Sequence, residues 1–309
     1  MLTLRFSRQQ ELEADDLGIL YLSRAGYDPR AMSTVLGSLA AQNALDARIA
    51  GRNASVPEWA STHPDPASRV RTAAAKAQGF TGNALNRDTF LTRIDGLLYG
   101  DDPAQGVIEG SRFTHPELML SFTAPQGFTM INSTRAVSIN GQGGQAQLSM
   151  AAYNGNLDAY VRSVFAALGG QNSNLAPSNT QRTTINGLAA AIGTARVNNN
   201  NGQVDVTVVA YEFARDRAYH FAAITPAGRS AVFNPMFNSM RRITQAEASA
   251  VVPRRIQVVT VARGDTVASL ARRMDYTTAQ VERFRVLNAL GANEEVTPGQ
   301  RVKIVVRGR

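Results

Sequence analysis

The sequence has 309 residues, of which 44% are hydrophobic and 18% charged, a balance typical of a globular chain with room for two or three domains. It contains no cysteine, which excludes disulfides, thiolate metal sites and a cysteine nucleophile. Its formal charge of +8 favours polyanionic surroundings such as nucleic acid, lipid headgroups or wall polymer.

The first predicted helix carries acidic residues on two opposite faces. It begins near Ser7, a favourable N-cap, and ends at Gly26, a typical stop. Two of its acids belong to an ordinary solvated face, but Glu11 and Asp15 lie on the small, apolar side that should pack. Burying them without partners would cost roughly several kcal/mol each, so we expect a cation beside them.

The candidates for that cation are a metal ion or an arginine. The pattern Glu11-x-x-x-Asp15 in SRQQELEADDLG resembles the zinc-ligand helix of gluzincin metallopeptidases, namely the BepA-like and HtpX-like members of the CAAX-prenyl-endopeptidase family. The resemblance continues through YLSRAGYDPRAM to STHPDPASRV, over about the first third of the chain. It implies that Glu11 is a zinc ligand, that Asp15 orients a ligating histidine, and that His63 covers or ligates the zinc. The alternative is that both acids pair at the surface with Arg8 or Arg69.

The sequence departs from this family in one respect. The family takes two zinc ligands and its general base from an upstream His-Glu-x-x-His helix, and the only histidines here are His63, His115 and His220. A catalytic zinc needs three protein ligands and a water, so the predicted site is incomplete and no catalytic residue is assigned in this chain. Two interpretations stay open, a peptidase chain truncated at its start and a degenerate homologue.

The rest of the first predicted domain, residues 1–99, is helical. Met32, Val35, Leu36 and Leu39 recur at helical spacing and predict the packed face of a second helix. A Pro-rich loop with His63 and further helices follow. We therefore expect the all-α C-terminal part of a gluzincin peptidase domain.

A break rich in Gly, Asp and Pro at residues 99–106 then leads to segments that alternate apolar and polar residues. Strands are predicted over 118–123, 129–139 and 146–153, then a helix over 157–168 and further strands. This order predicts an α+β, sandwich-like accessory domain over residues 111–245, and it loosely resembles a PsbP-like fold. We interpret the two histidines of this domain as structural.

The last predicted domain, residues 255–307, has a strand-helix-helix-strand order that resembles a LysM module. Gly264-Asp265-Thr266, Leu287-Asn288 and Pro298-Gly299-Gln300 stand where that family has its GDT, LN and PGQ signatures. The resemblance implies a groove for the N-acetyl sugars of peptidoglycan, with Gly264, Asp265 and Thr266 on one wall and Ala289, Leu290 and Gly291 near the other. The alternative is a module that docks onto its own chain.

Together these patterns predict a zinc metalloendopeptidase of the cell envelope, in the protein quality control class, that is inactive alone. A non-catalytic envelope or peptidoglycan-binding scaffold derived from such a peptidase is the alternative. The implied cofactor is zinc, and the implied partners are a protein or peptide substrate and peptidoglycan, without nucleic acid. The family resemblance favours the periplasm, although the chain as given shows neither an export signal nor an apolar run of the ~20 residues that span a membrane.

Overall fold

The computed structural model describes residues 8–49, 66–170, 175–199 and 202–308. The chain divides into two compact units, one formed by residues 1–99 with 254–308 and the other by residues 100–253. His63, a predicted zinc ligand, lies outside the described residues. Within the described part of the chain, no helix has the length and apolar character needed to cross a bilayer.

The first unit begins with helices. They are α1 (Arg8–Arg24), α2 (Ala31–Ile49), α3 (Pro66–Ala77) and α4 (Arg87–Ile94). Gly26 follows α1 with a φ of 79°, a left-handed conformation that glycine adopts without strain. Gly18 lets α1 and α2 approach closely, because a Cβ there would lie 2.1 Å from the Met32 Cε. Ile19, Leu36 and Ala73 form the buried apolar cluster where α1, α2 and α3 meet.

The second unit is built on antiparallel strands. Its strands are β1 (Val107–Glu109), β2 (Arg112–His115), β3 (Leu120–Thr123), β4 (Thr129–Asn132), β5 (Val137–Gly141), β6 (Gly144–Met150), β7 (Asn179–Ile185), β8 (Leu188–Asn199), β9 (Gly202–Ala214), β10 (Arg217–Pro226) and β11 (Arg241–Arg242). They form a four-stranded sheet in the order β1-β2-β3-β11 and a seven-stranded sheet in the order β4-β5-β6-β10-β9-β8-β7. The helices of this unit are α5 (Leu157–Gly169), α6 (Asn234–Ser239) and α7 (Gln245–Ala250).

Both faces of the seven-stranded sheet are covered. Helix α5 packs its apolar side on one face, and Gly193 of β8 makes room for it, since a Cβ there would lie 2.5 Å from Val161. The other face packs against the four-stranded sheet and α6 through a core rich in aromatic rings. Within that core Phe221 meets Phe122 edge to face, with 5.0 Å between ring centroids. The unit therefore has layers of helix, large sheet and small sheet.

The chain then returns to the first unit. There it forms β12 (Arg254–Thr260), α8 (Val267–Ala271), α9 (Gln280–Leu287) and β13 (Arg301–Arg307), with β12 and β13 antiparallel. The segment after α4 pairs with β12 in an extended run, through Gly96 N to Ile256 O at 2.8 Å and Tyr99 N to Arg254 O at 2.8 Å. The C-terminal module is therefore hydrogen-bonded to the segment that follows α4, as expected for a module that docks onto its own chain.

Two predictions about local structure are wrong. Val35 and Leu39 are 56% and 57% exposed, so α2 buries Leu36 and Leu45 instead of the whole predicted stripe. The single strand predicted over 129–139 is two strands, β4 and β5, joined by a turn in which Ala136 N bonds to Ser133 Oγ at 3.2 Å. The strands β1, β2 and β7 were not predicted from the sequence.

Candidate functional site

The inward acids of α1 meet an arginine of α3. Arg69 donates from Nε to Asp15 Oδ2 and from Nη2 to Asp15 Oδ1, both at 2.8 Å. Its Nη1 donates to Glu11 Oε2 at 3.2 Å. Because Glu11 and Asp15 are one helical turn apart, a single guanidinium reaches both carboxylates. We call these three residues the Arg69 cluster.

The Arg69 cluster is largely shielded from solvent. The side chains of Glu11 and Asp15 are each 12% exposed, and that of Arg69 is 19% exposed. This burial shows that the two acids lie on the packed face of α1. The alternative expectation is right that Arg69 is their partner and wrong that the pairing lies at the surface. The hydrogen bond to Asp15 raises the pKa of Arg69, so its charge persists at every physiological pH.

The outward acid Asp16 provides a contrast on the same helix. It pairs with Lys76 of α3 at 2.5 Å, but both side chains are 46% exposed. Exposed pairs of this kind contribute about 0–1 kcal/mol, whereas breaking a buried pair costs about 3–5 kcal/mol. The Arg69 cluster is therefore a stronger contact between α1 and α3 than the exposed pair of Asp16 and Lys76.

Within the described ranges, the groups found beside Glu11 do not make a complete zinc centre. They include the Asp15 carboxylate and the Arg69 guanidinium, and a guanidinium has no lone pair to give a metal. Over the described ranges, no group of three His, Cys, Asp or Glu residues could hold a metal ion. The zinc roles of Glu11 and Asp15 stay predictions.

Comparison with known proteins concerns the same segment. Residues 1–77 match the model of Peptidase family M48. We call this stretch the M48-like segment. It contains all three residues of the Arg69 cluster. It supports the metallopeptidase relationship that the pattern around Glu11 predicts.

The curated relatives agree with this match. The Beta-barrel assembly-enhancing proteases of Escherichia coli (strain K12) and Shigella flexneri are each 43% identical to this chain over 74 residues, which is 24% of this chain and 14% of theirs. The chain therefore spans about one seventh of the length of the curated relatives it matches.

Two solved structures are weakly similar. A crystal structure from Bacteroides thetaiotaomicron VPI-5482 aligns with a TM-score of 0.37 and 8% identity over 65% of this chain and 87% of that one. The solution structure of cyanobacterial PsbP (CyanoP) from Synechocystis aligns with a TM-score of 0.32 and 12% identity over 44% of this chain and 98% of that one. Similarity at this level carries no argument about fold or function.

Each residue of the first predicted glycan loop contributes to a turn or to a helix cap. Gly264 has a φ of 90°, and Asp265 Oδ2 accepts from Ala262 N at 2.9 Å within the turn. Thr266 caps α8 by accepting from Ser269 N at 3.1 Å. Gly264 and Thr266 are nevertheless exposed, so the loop remains available to a ligand.

The second predicted glycan loop also follows a residue that stabilises the fold. Asn288, at the end of α9, donates to Lys303 O at 2.8 Å and accepts from Lys303 N at 2.7 Å, which fastens the helix to β13. Ala289 and Gly291 are exposed, and Leu290 packs partly against the module core. Sugar binding by Ala289, Leu290 and Gly291 stays a prediction.

Proposed function

We propose that this chain works in the cell envelope as a protein of the zinc metalloendopeptidase class that acts on polypeptides and does not hydrolyse them by itself. The observation that carries the proposal is the packed pair of Glu11 and Asp15 on α1 inside the M48-like segment. In this proposal Glu11 is a zinc ligand, Asp15 orients a ligating histidine, and His63 is a further ligand. When bound, zinc would supply a Lewis acid that activates water.

A second candidate function is a non-catalytic scaffold at the envelope or on peptidoglycan. The Arg69 cluster favours it, because the guanidinium already neutralises the inward acids without a metal. In this case Glu11 and Asp15 serve the packing of α1 on α3, and the C-terminal module supplies glycan binding through Gly264, Asp265, Thr266 and the 289–291 loop.

Zinc titration of the full chain separates the two candidates. A chromophoric chelator would compete for zinc with the wild type, with Glu11→Gln and with the control Glu13→Gln, which changes an exposed acid of the same helix. The peptidase proposal predicts zinc binding on the order of micromolar or weaker, since the sequence lacks the His-Glu-x-x-His ligands. Glu11→Gln should weaken this binding at least tenfold, and Glu13→Gln should leave it unchanged.

The scaffold candidate gives a different result. Zinc affinity would then be the same in all three proteins, while Glu11→Gln would still lower stability. Hydrolysis of a denatured protein by the pure chain, abolished by a chelator, would contradict both candidates, because it would require a catalytic set other than the one described.

A further inference from the structure

A cluster of basic residues lies where α4 contacts the strand β13 of the C-terminal module. Arg87, the first residue of α4, donates from Nη2 to the backbone oxygen of Arg301 on β13 at 2.7 Å. Arg301 in turn donates from Nη1 to Asp88 O at 2.9 Å and to Thr92 Oγ1 at 3.1 Å. These hydrogen bonds hold two arginines together where the helix and the strand meet.

A third cation, Lys303, lies beside these arginines. It follows Arg301 by two positions on β13, so both side chains lie on the same face of the strand. Lys303 is only partly exposed, and its ammonium group has no acceptor among the residues that the structure describes. Burial lowers the pKa of Lys303, and the charge of Arg87 lowers it further. The ammonium is therefore partly withdrawn from water and lies next to another cation.

The acids near this cluster leave part of its charge uncompensated. Asp88 lies 3.6 Å from Arg301 Nη1, but its side chain is 80% exposed. Asp95 lies across β12 from Lys303, where its Oδ1 accepts from the backbone N of Val258 at 2.8 Å. We define the Lys303 site as the three cations with the acid that contacts them, namely Arg87, Asp88, Arg301 and Lys303. Three positive charges and one negative charge leave this site with a net charge of +2.

The uncompensated charge defines the ligand. A charge that is partly withdrawn from water costs free energy unless an opposite charge or a hydrogen bond stabilises it. Arginine forks and the point charge of a lysine are groups that bind phosphate in proteins. We propose that the Lys303 site binds a phosphate group with two negative charges, either the free ion or a monoester on a larger molecule. The inference concerns the first unit alone and requires neither zinc nor a glycan.

The lysine content of the chain allows a direct measurement. The sequence contains two lysines, Lys76 and Lys303, so 13C-labelled lysine gives the full chain two ε-methylene signals, which Lys303→Met assigns. Lys76 is the internal reference, because it already pairs with Asp16 on an exposed surface. Inorganic phosphate added at constant ionic strength should shift the Lys303 signal saturably, with a dissociation constant on the order of millimolar, and should leave the Lys76 signal in place.

Other anions test the charge and the source of the ligand. Saturating phosphate should raise the pKa of Lys303, because a bound anion favours the charged form of the ammonium. Acetate and dimethyl phosphate, which carry one negative charge, should bind more weakly than phosphate at the same ionic strength. Glycerol 3-phosphate separates the two sources. An affinity at least equal to that of the free ion would identify a monoester, and weaker binding would identify the free ion.

Two arginines of α4 provide matched variants. Arg87→Gln removes a cation of the Lys303 site and should weaken phosphate binding about threefold to tenfold. Arg93→Gln makes the same change in net charge at an exposed position of the same helix, about 120° away around the helix axis. It should leave the affinity for phosphate unchanged.

Four results would overturn the proposal. Phosphate might produce no saturable shift of Lys303, or it might shift Lys76 equally, and either result would leave only non-specific ionic effects. The other two are acetate binding as tightly as phosphate, and equal phosphate affinity of Arg87→Gln and Arg93→Gln. If a variant lost its fold, its Lys76 signal would move before phosphate was added, and the comparison of anions on the wild type would then decide.

Discussion

The helices α1 to α3 and the second unit bury different kinds of residue. The helices share a small apolar cluster of Ile19, Leu36 and Ala73, and several of their large apolar side chains, such as Tyr21 at 58% exposure, lie on the surface. The second unit buries a continuous core with many aromatic rings between its two sheets. A small apolar cluster leaves much of the contact between α1 and α3 to the Arg69 cluster, so a charge there should matter more than a single polar group in the second unit.

The largest expected effect comes from Arg69→Met. It leaves Glu11 and Asp15 buried without their cation, and the free energy of unfolding should fall by about 3–5 kcal/mol. Urea denaturation followed by circular dichroism measures this loss. Lys76→Met, which breaks the exposed pair with Asp16, should cost less than about 1 kcal/mol. Equal losses would erase the distinction between the two pairs.

In the second unit the largest change in the free energy of unfolding should come from protonation of His220. Burial lowers the pKa of His220 to about 4, from about 6.5 in the unfolded chain. Because the folded pKa is depressed, the stability contribution is complete above pH 6.5 and is lost as pH falls to 4, where the unfolded chain binds the proton first. The wild type should lose about 3 kcal/mol across this window through His220. His220→Gln should lose correspondingly less, and an identical pH dependence would show that His220 does not titrate in this way.

Asn288→Ala tests how the C-terminal module is held together. The Asn288 side chain makes hydrogen bonds to Phe284 O and to both backbone groups of Lys303, so its loss should cost about 1–3 kcal/mol. The control is Asn293→Ala, which changes an exposed loop residue and should shift stability by less than about 0.5 kcal/mol. If Asn288→Ala left stability intact but abolished sedimentation with peptidoglycan, the residue would serve glycan binding and not the fold.

The smallest predicted effect separates the two buried tyrosines. Tyr211→Phe leaves Phe237 O without its donor and should lower the free energy of unfolding by about 1 kcal/mol. The Tyr219 hydroxyl has only a weak interaction with the Arg217 guanidinium, so Tyr219→Phe should cost less than Tyr211→Phe. Thermal unfolding of the two variants side by side measures the difference, and an equal loss in both would show that the Tyr219 hydroxyl is bonded as strongly as that of Tyr211.

The sequence predicts features that depend on neighbouring residues and not those that depend on distant contacts. The packed position of Glu11 and Asp15 follows from helical periodicity within one segment, and it is confirmed. Their cation could not be chosen from the sequence, because Arg69 lies 54 residues after Asp15 and only the packing of α3 on α1 brings it near. The pairing of the 96–99 segment with β12 depends on contacts still farther apart along the chain.

The stacking of the two sheets of the second unit was not predictable. Phe122 and Phe221 come from β3 and β10, 99 positions apart in the sequence, and their edge-to-face contact depends on how the sheets stack, which local periodicity does not encode. The signatures of the C-terminal module were visible, yet many of their residues form turns, caps and strand contacts, so the pattern alone does not separate fold from glycan binding.

The central claim is that Arg69 and the inward acids of α1 act as one buried ionic cluster. A double-mutant cycle with Asp15→Asn, Arg69→Met and the double variant, measured by urea denaturation at pH 7, tests it directly. Residues in one hydrogen-bonded ion pair are coupled by about 0.5–3 kcal/mol, and for a buried bidentate pair we predict the upper part of that range, above about 2 kcal/mol. A coupling energy close to zero would show that the two residues contribute independently, and would contradict the account.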